Sequence, residues 1–214
     1  MFDPDLNPYV AKIQEYKDII TTIKRGETPD SGKLLNEDRP IVVDLGCGAG
    51  NFLRDYALIK PEYDFVGFEL RYKRLVKGAI KFKKRDIKNI QLVQARAEDI
   101  GQWFPNQSIH EVNVNFPDPW PKKRHHKHRL ISHEYLQILN RLLKPGCQFV
   151  FKTDHKDYFL YAAELIKQQS FFNLKEYSED LHNSSYNEEN IPTEFEQLFK
   201  NKGYPVYYIR VETE

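Results

Sequence analysis

Short runs of β-branched and aromatic residues alternate with helix-length amphipathic segments over most of this chain. That alternation restricts the fold more than any other feature. Strand-like runs fall at residues 41–45, 64–70, 90–95, 111–116, 147–153, 174–177 and 206–211. Between them, residues 51–59, 72–84, 132–142, 155–169 and 194–200 carry apolar side chains at helical spacing. Parallel strands need a crossover of helix length, so the pattern predicts an α/β fold. The expected sheet has seven strands, is mostly parallel, and carries helices on both faces. A further helix is expected over 9–23, with Val10, Ile13, Tyr16, Ile19, Ile20 and Ile23 apolar. The stretch 25–39, with Gly26, Pro29, Gly32 and Asp38, reads as a loop. The polar stretch 180–192 lacks apolar anchors and is expected to be a mobile loop. The chain therefore divides into an N-terminal helix and loop extension, 1–39, and one α/β domain, 40–214.

Composition narrows the class. With 214 residues, 40% hydrophobic and 29% charged, the chain can bury a core and is not wholly disordered. Two cysteines, Cys47 and Cys147, are too few for a disulfide scaffold. The N-terminus shows neither a basic nor an apolar signal region, and no apolar run approaches the roughly 20 residues of a membrane helix. These features point to the cytoplasm and to no membrane partner. The balance of 32 Lys+Arg against 31 Asp+Glu argues at first against a nucleic-acid partner. Position reverses that inference. Residues 71–88 hold nine Lys/Arg and one acid, and residues 122–129 hold five more. Phosphate attraction depends on local charge, so RNA stays a candidate.

The run Asp44-Leu45-Gly46-Cys47-Gly48-Ala49-Gly50 follows a strand and opens a helix. Glycine there lets the chain turn tightly and lets a ligand approach the backbone. The glycines stand at alternate positions, unlike the GxGxxG of dinucleotide loops. Asp44 would repel a pyrophosphate and suits a cationic amino-acid ligand. Glu69, at the end of the second strand, can take both hydroxyls of a ribose. Together these residues resemble motifs I and II of the class I S-adenosylmethionine-dependent methyltransferases, whose Rossmann-like fold matches the expected sheet.

The fourth strand ends in Asn115-Phe116-Pro117-Asp118-Pro119-Trp120-Pro121 and runs into Lys122-Lys123-Arg124-His125. The two prolines restrict the backbone on both sides of Asp118. A carboxylate held there can accept from N1–H and the exocyclic amine of a guanine, and Trp120 offers a stacking face. This run, together with Phe151-Lys152-Thr153-Asp154 and Thr193-Glu194-Phe195-Glu196, resembles the signature of the tRNA (guanine-N7-)-methyltransferase family. The resemblance implies methyl transfer from S-adenosylmethionine to N7 of the variable-loop guanosine of tRNA; for the chain itself, monomer and homodimer both stay open. It makes Asp118 the catalytic aspartate. It assigns Lys122, Asp154, Thr193, Glu194, Phe195 and Glu196 to the RNA. Asp44, Gly46, Gly48, Glu69, Arg71, Arg96, Ala97, Asn115 and Asp118 would hold the cofactor.

Two departures from the family pattern stand out. Asp44 replaces the usual Glu, and Arg96 stands where the family has Asp or Asn. An Arg cannot accept from the adenine amine, so either the backbone at Arg96 and Ala97 or the Glu98 side chain takes that role. His125, His126, His128 and His133 suggest zinc, but a cationic run without cysteine disfavours a metal. Cys47 and the aromatic group Tyr158, Phe159 and Tyr161 read as packing. Taken alone, Thr193 and Glu196 read as a helix-capping pair. Two other functions remain open from the residues: an exocyclic-amine nucleic-acid methyltransferase, and a non-catalytic RNA-binding module.

Overall fold

A computed structural model describes residues 7–23, 29, 32, 34 and 38–214. The chain forms two compact units, the first ending at Trp103 and the second beginning at Phe104. In the first unit α1 (Pro8–Ile13) is followed by the strands β1 (Ile20–Thr21), β2 (Ile41–Leu45), β3 (Asp64–Phe68) and β4 (Ile90–Val93). All pair in parallel, in the order β1-β4-β3-β2. Every residue of β2 is buried, as a parallel strand covered on both faces requires. Helices α2 (Asn51–Ile59) and α3 (Tyr72–Lys84) pack on β3 and β4, and both match the sequence pattern to the residue.

The helix expected over 9–23 is not formed beyond its first half. It ends at Ile13, one tighter turn covers Gln14–Tyr16, and Ile20–Thr21 joins the edge of β4. Residues 19–23 are all β-branched, which disfavours helix and suits an extended chain. The free edge of β4 supplies partners: Leu92 N donates to Ile19 O at 2.8 Å and Gln94 N to Thr21 O at 2.9 Å. The described residues therefore hold eight strands rather than seven. Most of the loop expected over 25–39 lies outside the described residues.

The second unit carries β5 (Ile109–Asn115), α4 (His133–Leu142), β6 (Leu143–Thr153), α5 (Lys156–Lys167), β7 (Phe172–Ser178), α6 (Glu194–Asn201) and β8 (Tyr207–Thr213). Its strands lie in the order β5-β6-β8-β7, with β5 and β6 parallel and β8 antiparallel to both neighbours. The α/β class and the mostly parallel sheet agree with the sequence pattern.

The stretch 180–192 is anchored, against the expectation of a mobile loop. Leu181 is fully buried beside Val150, Val206 and Tyr208, and its N–H donates to Val206 O at 2.8 Å. Lys152 Nζ donates to Asn190 Oδ1 and, at 3.1 Å, to Ile191 O. Leu181, the Tyr186 ring against Tyr208 and a few polar contacts hold the segment, which mean hydropathy does not register.

Packing in the first unit is tight around Gly67 of β3. A Cβ there would lie 2.6 Å from both Cys47 Sγ and Leu53 Cδ1, and 3.0 Å from Leu92 Cδ2. Gly67→Ala is therefore expected to lower the unfolding free energy by about 1–3 kcal/mol. Urea denaturation checks this, and an unchanged midpoint would contradict the packing account.

Candidate functional site

In the first unit the carboxyl ends of β2, β3 and β4 are in register, with Leu45 opposite Phe68 and Phe68 opposite Val93. Gly46 and Glu69 thus leave the sheet along one edge, where ligands of such sheets lie. The N–H groups of Gly46 and Cys47 both donate to Phe68 O, at 2.9 Å each, and this fork bends the chain off β2. Gly46 has φ +81°, and a Cβ there would meet no atom within 4 Å, so its open side faces free space. Gly50, at φ +67°, begins α2, and a Cβ there would stand 2.5 Å from Phe82 Cζ. Only glycine satisfies both the turn and the packing.

Two carboxylates are buried at this edge, Asp44 at 2% exposure and Glu69 at 8%. Glu69 Oε1 accepts from Arg71 N at 2.9 Å, and Oε2 lies 3.5 Å from Arg74 Nη1. Arg71 contributes its backbone to this arrangement, while its side chain is exposed. Arg74 also lies 3.6 Å from where a Cβ on Gly48 would be. Sequence reasoning missed Arg74, because it sits within a basic helix where cations look alike. Burial, reinforced by Asp44 and Glu69, pushes the Cys47 thiol well above its usual range. Cys47 therefore stays protonated and packs. Arg96 and Glu98 are exposed and paired with each other at 3.0 Å, and Ala97 begins a short turn beside them.

In the second unit β5 and β6 end side by side, with Asn115 opposite Lys152. The turn after β5 contains two bulky residues in the left-handed region, Phe116 at φ +51° and Trp120 at φ +44°. Each such residue costs about 1–3 kcal/mol and persists only where its surroundings hold it. Phe116 N donates to Lys152 O at 2.8 Å, and its ring stacks on Phe199 with centroids 5.7 Å apart. The Trp120 ring lies 5.1 Å from that of His128 and edge-on to His125 at 5.9 Å. Asp118 stands exposed between these two pins, and Asn115 just before them is half-buried. Lys122 and Asp154 are exposed at the ends of the neighbouring turns.

The segment Thr193 to Glu196 is split by geometry. Thr193 Oγ1 accepts from Glu196 N at 3.0 Å, and Glu196 Oε2 accepts from Thr193 N at 3.3 Å, a capping box that starts α6. Glu196 is fully buried, with Lys152 Nζ 3.1 Å from Oε2, Asn190 Nδ2 donating to Oε1 at 2.5 Å, and His182 Nε2 at 3.7 Å. Glu194 and Phe195 face solvent. Of the basic run, Lys122, Lys123, Arg124 and Lys127 are exposed, while Arg129 is buried. Among the described residues no cluster of His, Cys, Asp and Glu is placed to hold a metal, and no helix is long and apolar enough to cross a membrane.

The chain is similar to known proteins. The family model described as "Putative methyltransferase" matches residues 38–209. A tRNA (guanine-N(7)-)-methyltransferase of Listeria monocytogenes is 36% identical over 180 residues, covering 84% of this chain and 83% of its own. A bifunctional glycosyltransferase/methyltransferase of Fusobacterium nucleatum is 38% identical over 92% of this chain, which spans 31% of that longer protein. Among solved structures, the 16S rRNA methyltransferase KamB superposes with a TM-score of 0.64 at 16% identity, covering 88% of this chain and 95% of its own. At that identity the likeness concerns the fold.

Lys152→Met would leave Glu196 as an uncompensated buried charge, and it is expected to cost about 3–5 kcal/mol of unfolding free energy. Glu194→Gln, on the exposed side of the same helix start, is expected to change it by no more than about 0.5 kcal/mol. Denaturant unfolding of the two variants checks the contrast, and equal effects would contradict it.

Proposed function

This chain belongs to the tRNA (guanine-N7-)-methyltransferase family, and we propose that it transfers the methyl group of S-adenosylmethionine to N7 of the variable-loop guanosine of tRNA. The observation that carries the reading is Asp118, exposed on a turn pinned at both ends and followed at once by solvent-facing cations. The first unit fits the cofactor. Gly46 leaves free space beside a glycine turn, and Asp44 and Glu69 present buried carboxylates suited to an α-amino group and to ribose hydroxyls. We assign Asp44, Gly46, Gly48, Glu69, Arg71 and the backbone at Arg96 and Ala97 to the cofactor, and the family resemblance adds Asn115 and Asp118. Bound there, S-adenosylmethionine would supply an electrophilic methyl group.

Guanine N7 already carries an exposed lone pair, so the reaction requires alignment more than a general base. Asp118 orients the base by accepting from N1–H and the exocyclic amine. Its charge also stabilises the positive charge that the base gains. Trp120 gives the base a flat neighbour, and Lys122, Lys123, Arg124 and Lys127 attract the RNA phosphates. Asp154, Glu194 and Phe195 would line the RNA side, with Thr193 and Glu196 shaping the start of α6 beneath them. The domain carrying this chemistry is residues 40–214, with 1–39 as its extension, working in the cytoplasm where tRNA is modified.

The decisive assay incubates the protein with labelled S-adenosylmethionine and unmodified tRNA, digests the RNA and identifies the labelled nucleoside. N7-methylguanosine is expected, and methyladenosine or no transfer would overturn the proposal. Asp118→Ala is expected to lower turnover by about 100-fold or more while S-adenosylmethionine binding persists. Full activity in that variant would remove Asp118 from the mechanism.

A further inference from the structure

We propose that Arg129, the last cation of the basic run, is a positioning residue for the Asp118 turn and takes no part in docking RNA. The inference rests on the methyl-transfer reading above and adds a residue that the family resemblance leaves unassigned.

Arg129 is 4% exposed. Its guanidinium carbon lies 4.8 Å from the ring centroid of Tyr158 and 4.9 Å from that of Tyr161, both on α5. Nε donates to the carbonyl of Pro119 at 2.9 Å. Nη2 is buried without a hydrogen-bond partner among the described residues. An unpaired buried donor costs about 1–3 kcal/mol, so an arginine here is an unfavourable choice for stability alone. A phosphate ligand would also need the guanidinium to be accessible, and it is not.

The Pro119 carbonyl is the useful place to hold this turn. The pyrrolidine ring fixes φ of Pro119, so its ψ is the remaining soft dihedral between Asp118 and the left-handed Trp120. A hydrogen bond to the Pro119 carbonyl sets that ψ, and with it the peptide plane leading into Trp120. The two tyrosine rings hold the donor. Tyr158 is itself fixed, since Ile131 N donates to its hydroxyl at 3.0 Å. Burial pushes the Tyr158 phenol up to about 12, so it stays neutral at physiological pH. A planar guanidinium can contact the rings and donate from Nε at once, whereas a lysine ammonium cannot reproduce that geometry.

The test compares the full-length protein with Arg129→Lys and Arg129→Met in steady-state methylation, tRNA binding and S-adenosylmethionine binding. Iodide quenching adds a direct readout of the turn, because Trp103 is buried and Trp120 is 37% exposed. Both variants are expected to lose about 10- to 100-fold in kcat, with the affinities for tRNA and S-adenosylmethionine unchanged and the quenching of Trp120 increased. Arg129→Lys keeping wild-type kcat would overturn the proposal, because charge alone would then suffice. Weakened tRNA binding with unchanged kcat at saturation would overturn it too, by making Arg129 a phosphate contact. If the Arg129 variants fail to fold, Tyr161→Leu removes one ring and leaves the arginine. A loss confined to kcat then supports the proposal, and an unchanged kcat defeats it. If the wild-type protein methylates no guanosine, the functional reading fails separately. The Trp120 quenching then still decides whether Arg129 holds the turn.

Discussion

Lys152 places its ammonium 3.1 Å from Glu196 inside the second unit, and this pair joins the elements around the Asp118 turn. The lysine comes from the end of β6, and its backbone carbonyl accepts from Phe116 N, the first residue of the Asp118 turn. The glutamate closes the capping box of α6, whose Phe199 stacks on Phe116. The side chain and the backbone of one residue therefore tie a strand end, a helix start and a strained turn together. Buried ion pairs contribute little net stability, because desolvation offsets most of their attraction. Their asymmetry is what matters. With both partners present each charge is compensated, and with one removed the other stays buried without its counter-ion.

Both units place left-handed residues where strands end, and they do so by opposite means. In the first unit the left-handed positions after β2 are glycines, which adopt such a backbone at no steric cost and leave the space beside Gly46 clear. In the second unit they are Phe116 and Trp120, which adopt it at a cost. The difference follows from what each turn presents. A glycine loop offers backbone to a ligand, so it must be bare. The Asp118 turn offers a side chain, and its aromatic neighbours supply both the grip that holds the strain and a face beside the carboxylate.

The parts of the fold that were legible in the sequence are those fixed by local periodicity. The bounds of α2 and α3 follow from apolar spacing and from the glycine that precedes α2. β1 was not legible, because its two residues become a strand only through the free edge of β4, about 70 positions away along the chain. The anchoring of 180–192 escaped for a similar reason, since it rests on Lys152, Asn190, Leu181 and Tyr186 meeting distant partners. At the candidate site, residue types and spacing single out the Gly46 loop, Glu69 and Asp118, but not who faces whom. Thr193 and Glu196 carry a capping signature that their residue types state outright. Only three-dimensional packing shows that Glu196 is also the buried partner of a lysine.

Charge distribution ties these observations to function. The formal net charge of +1 conceals two populations. Many acids of the C-terminal third are engaged locally: Glu176 with Arg210, Glu179 with Lys156, Glu212 with Lys175, and Glu196 with Lys152. Among the described residues, the ion pairs include none of Lys122, Lys123, Arg124 and Lys127. An acid already paired with a neighbouring cation contributes little field at a distance beyond the Debye length of about 8–10 Å. The exposed run therefore keeps its attraction for phosphate despite the neutral total. Within that run burial divides the cations between two roles. Those facing solvent can meet a polyanion, whereas Arg129, lodged between two tyrosines, can act only on the turn it touches.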